Sequence, residues 1–267
     1  MKASEFFRQH PIFTHDQFAT AIQASGSSKI AVNSRLSYHL KAHHIFRLRR
    51  RLYHVLPPGS TQDNYPIDPY LVAGLLADDA ALAYHTALGF FGKVYSHRQD
   101  FVYLTSRHAR PFALRGQQFK PRLFPKALSR QGKELFGVDT HERLGVSLRV
   151  TSLERTLVDV LDEPSLSGGW EEVWRSLELI EFFDLDKVIE YASLLGNATT
   201  VAKVGLFLEK HRDSLSVTDS HLEALRKLRP KEAHYVLRGD RSAGRFVANW
   251  NLIVPTRILE SAWEEPS

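Results

Sequence analysis

The stretch KIAVNSRLSYHLKAHHIFRLRRRLYHVLPPG, residues 29–59, decides the fold of the N-terminal part of this chain. Its first half has Val32, Leu36 and Leu40 at intervals of four, which is the spacing of one buried side of a helix. The opposite side of that helix is polar, basic and free of acids. The residues on or beside this outward side are Ser34, Arg35, Tyr38 and Lys41.

Two short strand-like runs follow the helix. They cover residues 45–48 and 52–56, and the three arginines at 49–51 join them. Runs of this length on either side of a short turn predict a hairpin, which the tandem prolines at 57–58 then end. The hairpin therefore carries three arginines at its tip and Arg47 on its first strand.

Two further helices are predicted upstream. The first lies around residues 3–9. The second begins at Thr14 and Gln17, which have the spacing of a capping box, and it ends at Gly26. One of the two serines at 27–28 then caps the third helix. The order helix, helix, helix, hairpin predicts a winged helix-turn-helix domain.

The positive charge of the chain is concentrated in the same region. Residues 17–62 contain seven Lys and Arg but no Asp or Glu. Residues 1–62 carry nine basic and two acidic residues, a net charge of +7, whereas residues 63–267 carry 26 basic and 28 acidic residues, a net charge of −2. A segregated basic block of this kind is typical of a nucleic-acid-binding module.

The basic cluster has two interpretations. Charge runs often only face water, and arginines suit a soluble hairpin tip. We favour DNA binding, because an acid-free window, a polar helix face and a basic hairpin occur together. Arg49 and Arg50 would then contact phosphates, while Ser34, Arg35 and Tyr38 would reach base edges in the major groove. The predicted DNA-binding residues are Ser28, Lys29, Ser34, Arg35, Tyr38, Lys41, Arg47, Arg49, Arg50 and Arg51.

A linker separates this domain from the rest of the chain. Residues 57–64 are rich in proline and small polar residues, so we place the domain boundary between residues 62 and 63. The expected domains are a winged helix-turn-helix over residues 1–62 and a larger domain over residues 63–267.

The second domain is predicted to be of mixed α+β class, with strands first and helices later. It opens with an apolar helical stretch at 70–91 that is interrupted by the aspartates at 78–79. Thr151 and Glu154 have the spacing of a second capping box. The predicted strands are 101–105, 119–124 and 146–150, and the later helices begin near 151 and 170 and cover 186–195, 199–211 and 218–228.

The usual catalytic motifs do not occur in the sequence. There is no Walker-type phosphate loop, no G-x-G-x-x-G or G-x-S-x-G motif, and no Glu with Lys two residues later as in restriction-type nucleases. The absence of cysteine excludes disulfides, thiolate metal sites and a cysteine nucleophile. His39 and His43 have the i, i+4 spacing of a zinc pair, but we expect both to pack beside Leu36 and Leu40. We therefore expect no catalytic residue, no metal and no cofactor.

The same composition predicts a cytoplasmic protein without a membrane partner. Every apolar run is shorter than the ~18 residues that a membrane helix needs. The N-terminal segment MKASEFFRQHP lacks the hydrophobic region of a signal peptide. The lack of cysteine agrees with a reducing compartment.

Several segments carry a family resemblance. A helix with leucine spacing leads into RLRRRLY (47–53), and five more landmarks follow: DPYLVAGLLADDAALAYHTALGFFG (68–92), RVTSLERTLVDVL (149–161), GGWEEV (168–173), EYASLLGNATTVAKVGLFLE (190–209) and WNLIVP (250–255). With these segments the chain resembles the AbiEi antitoxins of type IV toxin–antitoxin and abortive-infection systems, whose hairpin reads R-x-R-R-G-x-Y. Arg51 stands where that family usually has glycine. We therefore expect another residue to adopt the positive φ of the turn, or the turn to shift.

The resemblance implies two functions. The N-terminal winged helix would bind promoter DNA and repress the protein's own operon. The C-terminal domain would counteract an AbiEii-like nucleotidyltransferase toxin. We therefore expect a non-enzymatic antitoxin and autorepressor, with double-stranded promoter DNA and the toxin as partners.

Two alternatives stay open. One is a nucleic-acid-processing enzyme whose metal-binding carboxylates lie in the second domain, with Asp68, Asp159 and Asp162 as candidates. The other is a transcription factor whose second domain senses a small molecule.

Overall fold

The computed structural model describes residues 3–23, 28–236 and 244–260, and it has the mixed α+β architecture expected from the sequence. The N-terminal region contains α1 (Ala3–Gln9), β1 (Ile12–Thr14), α2 (His15–Gln23), α3 (Lys29–Lys41), β2 (Ile45–Arg49) and β3 (Leu52–Val55). The C-terminal region begins with α4 (Pro69–Leu75), β4 (Ala81–Leu82), α5 (His85–Phe90), β5 (Asp100–Thr105), β6 (Phe112–Leu114), β7 (Gln117–Leu123), α6 (Lys126–Ser129), β8 (Val138–Arg143) and β9 (Val146–Thr151). It continues with α7 (Leu153–Asp162), α8 (Trp170–Glu178), α9 (Leu185–Leu195), α10 (Ala198–Lys210), α11 (Asp219–Arg226), β10 (His234–Tyr235), β11 (Gly244–Val247), β12 (Leu252–Pro255) and α12 (Thr256–Leu259).

The start of α2 confirms the first capping box. The backbone N–H of Thr14 donates to Gln17 Oε1 at 2.7 Å, and the N–H of Gln17 donates to Thr14 Oγ1 at 3.2 Å. These reciprocal bonds satisfy amides that have no partner inside the helix. The predicted end of the helix at Gly26, and Ser27 as a cap of the next one, lie outside the described residues.

A short strand that the sequence did not indicate completes the N-terminal sheet. Strand β1 pairs antiparallel with β3, and β3 pairs antiparallel with β2. Three residues are too few to show the period of a strand, so only this pairing identifies β1. The helices and the sheet enclose an apolar cluster. Its buried members are Phe6, Phe13, Phe18, Ile22, Val32, Leu36, Ile45 and Tyr53.

The C-terminal region is built on a six-stranded mixed sheet with the order β6-β7-β5-β4-β9-β8. Side chains of β5 alternate between its two faces, as strand geometry requires. Val102 and Leu104 pack in one cluster with α7 to α11, whereas Phe101 and Tyr103 pack in a second cluster with α4 and the β2–β3 hairpin. The later helices therefore cover one face of the sheet, and α4 and the hairpin cover the other.

Apolar packing crosses the predicted boundary between residues 62 and 63. The second cluster contains N-terminal side chains as well as those of α4 and the sheet. Arg115 also donates to the carbonyl oxygens of Gln62 and Tyr65, the latter at 2.7 Å. The expected linker is thus held beside the sheet, while the two-domain division itself stays a prediction. The buried N-terminal members of the shared cluster are Ile12, Phe46, Leu48, Leu52 and Leu56.

The apolar stretch 70–91 is not one interrupted helix, so that expectation is wrong. It forms α4 and α5 with strand β4 between them, and β4 pairs with both β5 and β9 in the middle of the sheet. Ala81 and Leu82 are fully buried there. Two apolar residues show neither a helical nor a strand period, so pairing with distant strands decides their conformation.

The second capping box is wrong by one residue. Ser152, not Thr151, caps α7, and its hydroxyl accepts from the Arg155 N–H at 3.3 Å. Thr151 is instead the last residue of β9, where pairing with β8 extends the strand. Glu154 accepts from the backbone N–H of Asp184 at 3.2 Å.

The strands β4 to β9 precede the helices α7 to α11, as predicted, but the short helices α5 and α6 lie among the strands. Helices α9, α10 and α11 each begin within one residue of their predicted positions. The terminal strands were not predicted, and they form a second sheet with the order β10-β12-β11. Within the described residues, no helix is both long enough and apolar enough to span a bilayer.

Candidate nucleic-acid interface

Helix α3 is held by its cap and by one buried side. Ser28 is the N-cap, and its hydroxyl accepts from the backbone N–H three residues later at 3.3 Å. Val32 and Leu36 are buried and Leu40 is half-buried, which confirms the predicted stripe. The backbone of Lys29 begins the helix, but its side chain lies outside the described part of the structure.

The opposite side of α3 faces solvent, as predicted for Ser34, Arg35, Tyr38 and Lys41. Two large side chains are unusually open: Tyr38 is 63% and Ile30 is 80% exposed. Apolar and polar groups on one face suit the donors, acceptors and methyl groups of the major groove. A shallow groove on this face is lined by Ile30, Asn33, Ser34, Ser37, Tyr38 and Lys41.

The hairpin turn has Arg51 at the position where the AbiEi resemblance leads us to expect glycine. The register shifts between Arg47 and Arg49, so the turn does contain an irregularity. However, Arg51 itself has φ of +67°, the left-handed conformation that glycine favours, so the expectation that another residue would bear it is wrong. The Arg51 carbonyl accepts from the His15 N–H at 2.8 Å, and its guanidinium forms an ion pair with Asp16. These contacts hold Arg51 in a conformation that costs energy for a residue with a Cβ.

The hairpin arginines differ in environment. The Arg49 guanidinium is half-buried and lies 5.7 Å from the ring centroid of Phe112 on β6. Burial raises the pKa of Tyr103, and the nearby positive charge of Arg49 offsets part of that increase. Arg49 therefore joins the hairpin to the sheet. Among the described residues, no ion pair or hydrogen bond engages the side chain of Arg50 at the tip. The exposed hairpin arginines are Arg47, Arg50 and Arg51.

Side-chain contacts connect α3 with the hairpin tip. His15 Nε2 lies 3.0 Å from Oδ1 of Asn33 on the exposed face of α3. His15 Nδ1 lies 3.3 Å from the carboxylate of Asp16, which also pairs with Arg51. The hydrogen bond from His15, with a further contribution from Arg51, holds the pKa of Asp16 below its ordinary value. The helix face and the basic tip therefore form one continuous surface.

The histidines considered as a zinc pair are not arranged as expected. His39 is half-buried on α3, with its ring centroid 4.8 Å from that of Phe7. The helix ends at Lys41, so His43 lies beyond it, exposed and with φ of +54°. His39 Nδ1 instead lies 3.1 Å from Nδ1 of His44. In the described ranges, no group of three or more His, Asp or Glu side chains is placed to hold a metal ion.

Two of the carboxylates considered for catalysis have structural partners. Asp68 caps α4 by accepting from the Tyr70 N–H at 2.9 Å, and it pairs with Arg143 at 2.7 Å. Asp162 accepts hydrogen bonds from the side chains of Asn197 and Thr200 at the start of α10. Both carboxylates therefore stabilise helix starts and connections between elements.

Asp159 is the third candidate, and it lies in the core. The hydroxyl of Tyr191 donates to it at 2.6 Å, and Arg155 Nε donates at 3.4 Å. Burial raises the pKa of Asp159 to about 6. Raised pKa values occur at functional sites, but this carboxyl is only 2% exposed, so a substrate has no access to it.

A second buried network surrounds Glu172 on α8. Its carboxylate accepts from the Ser96 hydroxyl at 2.5 Å, from the Ser176 hydroxyl at 3.0 Å, and lies 3.1 Å from His85 Nε2. Burial raises the pKa of Glu172, but the hydrogen bonds from His85, Ser96 and Ser176 outweigh it and lower the pKa to about 2. The network joins α5 to α8 inside the molecule.

We expect Glu172 to make stability depend on pH. Its pKa in the folded protein lies below the ordinary 4.5, so the ionised carboxylate stabilises the fold above about pH 4.5. This contribution is lost as the pH falls toward about 2, and it corresponds to about 3 kcal/mol. In urea denaturation, Glu172→Gln should therefore lower the free energy of unfolding by about that amount at pH 7, and by progressively less toward pH 2. A difference that stays constant over this range would contradict the assignment.

Arg107 and His108 were missed as candidates for this interface. They lie across a cleft from the residues of the hairpin tip. Their signal in the sequence is a second stretch without acids, residues 101–133, inside a region whose net charge is negative. The net charge of residues 63–267 as a whole is negative, so it does not reveal this basic stretch.

The comparisons with known proteins bear on the fold. Neither the protein-family models nor the curated proteins give a match to this chain. Among solved structures, the chain is similar to the crystal structure of the RV2827C protein from Mycobacterium tuberculosis, with a TM-score of 0.60. The likeness covers 97% of this chain and 92% of that one, at 14% sequence identity. It supports the mixed α+β fold over nearly the whole length and, at this identity, nothing beyond the fold.

Proposed function

We propose that this protein is a DNA-binding antitoxin that represses its own operon. The observation that carries the DNA-binding part is the continuous surface formed by the exposed face of α3 and the arginine-rich hairpin tip. The face is acid-free, and contacts through His15 and Asp16 fix its position relative to the tip. Such a surface complements a duplex, whose grooves present base edges beside a charged backbone.

In this proposal the N-terminal region is a winged helix-turn-helix. Three helices precede the β2–β3 hairpin, with α3 as the recognition helix and the hairpin as the wing. Ser34, Arg35 and Tyr38 contact base edges, and the exposed hairpin arginines contact phosphates. Arg49 has a second role, because it also packs on Phe112.

The antitoxin part rests on the resemblance to the AbiEi proteins. Two of its landmarks, residues 190–209 and 250–255, lie in contact: a side chain added at Gly205 of α10 would meet the ring of Trp250. This packing lies in the core and concerns no surface, so the neutralising surface is assigned no residues. The proposed role against an AbiEii-like nucleotidyltransferase toxin needs neither catalysis nor a cofactor, and it places the protein in the cytoplasm.

The DNA-binding part is tested by titrating the full chain with the duplex upstream of its own gene. We expect a preference of at least about 10³-fold over a scrambled duplex of equal length. Replacing Arg50 with alanine should weaken binding to both duplexes and reduce the slope of log K against log salt by about 1. Arg50 is replaced alone because Arg49 also packs on Phe112, so replacing Arg49 would change packing as well as charge.

The matched control is Arg8→Ala on α1, which removes the same charge from another exposed position. It should leave the salt slope unchanged. Absence of binding to the upstream duplex would overturn the proposed function. An Arg50→Ala slope equal to that of wild type would overturn only the role of the wing.

A further inference from the structure

A second basic stretch lies next to the hairpin tip. Residues 101–133 contain eight Lys and Arg and no Asp or Glu. Three of these cations have partners: Arg115 bonds to backbone carbonyls, Lys120 pairs with Asp100, and Arg122 pairs with an acid of α7's C-cap. A ligand can contact the remaining cations of the stretch only if their side chains are exposed.

The turn after β5 exposes two of them beside the hairpin. Residues 106–110 are all exposed, and they include Arg107, His108 and Arg110. A cleft of about 500 Å³ separates this turn from the tip, with Arg50 and Arg51 on one wall and Arg107 and His108 on the other. In the described structure, neither Arg107 nor Arg110 forms an ion pair.

Three hydrogen bonds hold the turn in place, and a cation–π contact holds the tip. The carboxylate of Asp79 accepts from the Thr105 hydroxyl at 2.6 Å and from the N–H and hydroxyl of Ser106 at 2.7 and 2.5 Å. On the other side, Arg49 lies over the ring of Phe112, just beyond the turn. The two walls of the cleft are therefore positioned before any ligand arrives.

The acids of the cleft do not cancel its charge. Asp16 pairs with Arg51. Burial raises the pKa of Asp79, but hydrogen bonds from Ser106 and Thr105 outweigh it and lower that pKa, so Asp79 stays ionised and is bonded to the turn. Asp16 and Asp78 are both exposed, but the four arginines that line the cleft, at 49–51 and 107, outnumber its three aspartates.

We propose that the turn at residues 106–110 is a second phosphate-contact site for the same DNA duplex. This inference rests on the proposed function, because the duplex that lies on α3 and the hairpin would continue across the cleft. Charge complementarity identifies the occupant: exposed arginines on both walls suit the sugar–phosphate backbone of one strand. Arg107 and Arg110 then add affinity without reading sequence.

The test uses the full chain with Arg107→Ala and Arg110→Ala together. In titrations over a range of salt concentrations, the slope of log K against log salt should fall by about 2, since each lost phosphate contact removes about 0.9. The preference for the upstream duplex over the scrambled one should stay as in wild type. The double lysine variant, Arg107→Lys with Arg110→Lys, should keep the wild-type slope.

The control is Lys227→Ala with Lys231→Ala, which removes two exposed charges near the end of α11, on the other side of the molecule's sheet. Its slope should equal that of wild type. If the arginine double variant also keeps the wild-type slope while wild type binds the upstream duplex, this inference is overturned and the proposed function stands. If wild type binds no duplex, the proposed function is overturned, and this inference with it. Tighter binding of wild type to RNA of the same sequence would also overturn the inference.

Discussion

Glutamate in place of Ser34 is expected to lower the affinity of the full chain for its upstream duplex by at least about 100-fold. Ser34 lies at the centre of the exposed face of α3, between Ile30 and Tyr38. A carboxylate there would enter the major groove between two charged phosphate strands, and like charges brought together across an interface cost several kcal/mol. The helix itself should tolerate the change, since glutamate is a better helix former than serine.

Fluorescence anisotropy with a labelled duplex measures this effect, and circular dichroism checks that the fold is kept. The matched control is Ser193→Glu, which places the same charge on an exposed position of α9. That control should bind DNA as wild type does. Wild-type affinity of the Ser34→Glu variant would exclude α3 as the recognition helix.

The same variant separates the two proposed activities. In co-expression with an AbiEii-like nucleotidyltransferase toxin, Ser34→Glu should still protect cells, because the toxin is proposed to be counteracted by the C-terminal region. The full chain is the appropriate form for this test. A fragment beginning at residue 63 would lose the N-terminal side chains that share a buried cluster with α4 and the sheet.

Alanine in place of Gly205 is expected to destabilise the fold by about 3 kcal/mol. Its Cβ would lie 2.6 Å from Cε3 of Trp250 and closer still to Cζ3 and Cη2. The indole is fully buried, and its Nε1 donates to Glu209 Oε2 at 2.8 Å, so the ring has little room to move. Overpacking of a close-packed core costs ~1–3 kcal/mol and sometimes more. The gain in helix propensity, about 1 kcal/mol, is smaller.

Thermal denaturation should show a fall in Tm of about 6–12 °C for a chain of this size. Trp250→Phe in the Gly205→Ala background should recover part of the loss, because the smaller ring leaves space for the added methyl group. An unchanged Tm for Gly205→Ala would show that α10 and the indole are not packed as described.

The carboxylates named for the enzymatic alternative all have structural partners. Asp68 and Asp162 already bond to helix starts and side chains, and Asp159 is enclosed by Arg155 and Tyr191. Turnover of a nucleotide or nucleic acid that a carboxylate substitution abolishes would decide for that alternative.

The sequence by itself determined the features that depend on near neighbours. The buried stripe of Val32 and Leu36, the cap at Ser28 and the capping box at Thr14 all follow from residues within four positions of one another. Helix periodicity and capping are local, so one sequence suffices to predict them. The concentration of charge in residues 17–62 is likewise a property of the letters alone.

Only the tertiary structure decided which of these residues are free to act. Arg51 takes the strained position of the turn because His15 and Asp16, far away in sequence, hold it there. Arg49 differs from Arg50 because Phe112 lies beneath it. The turn at 106–110 faces the hairpin because both pack on one sheet. Each outcome depends on contacts between distant segments, which local patterns do not encode.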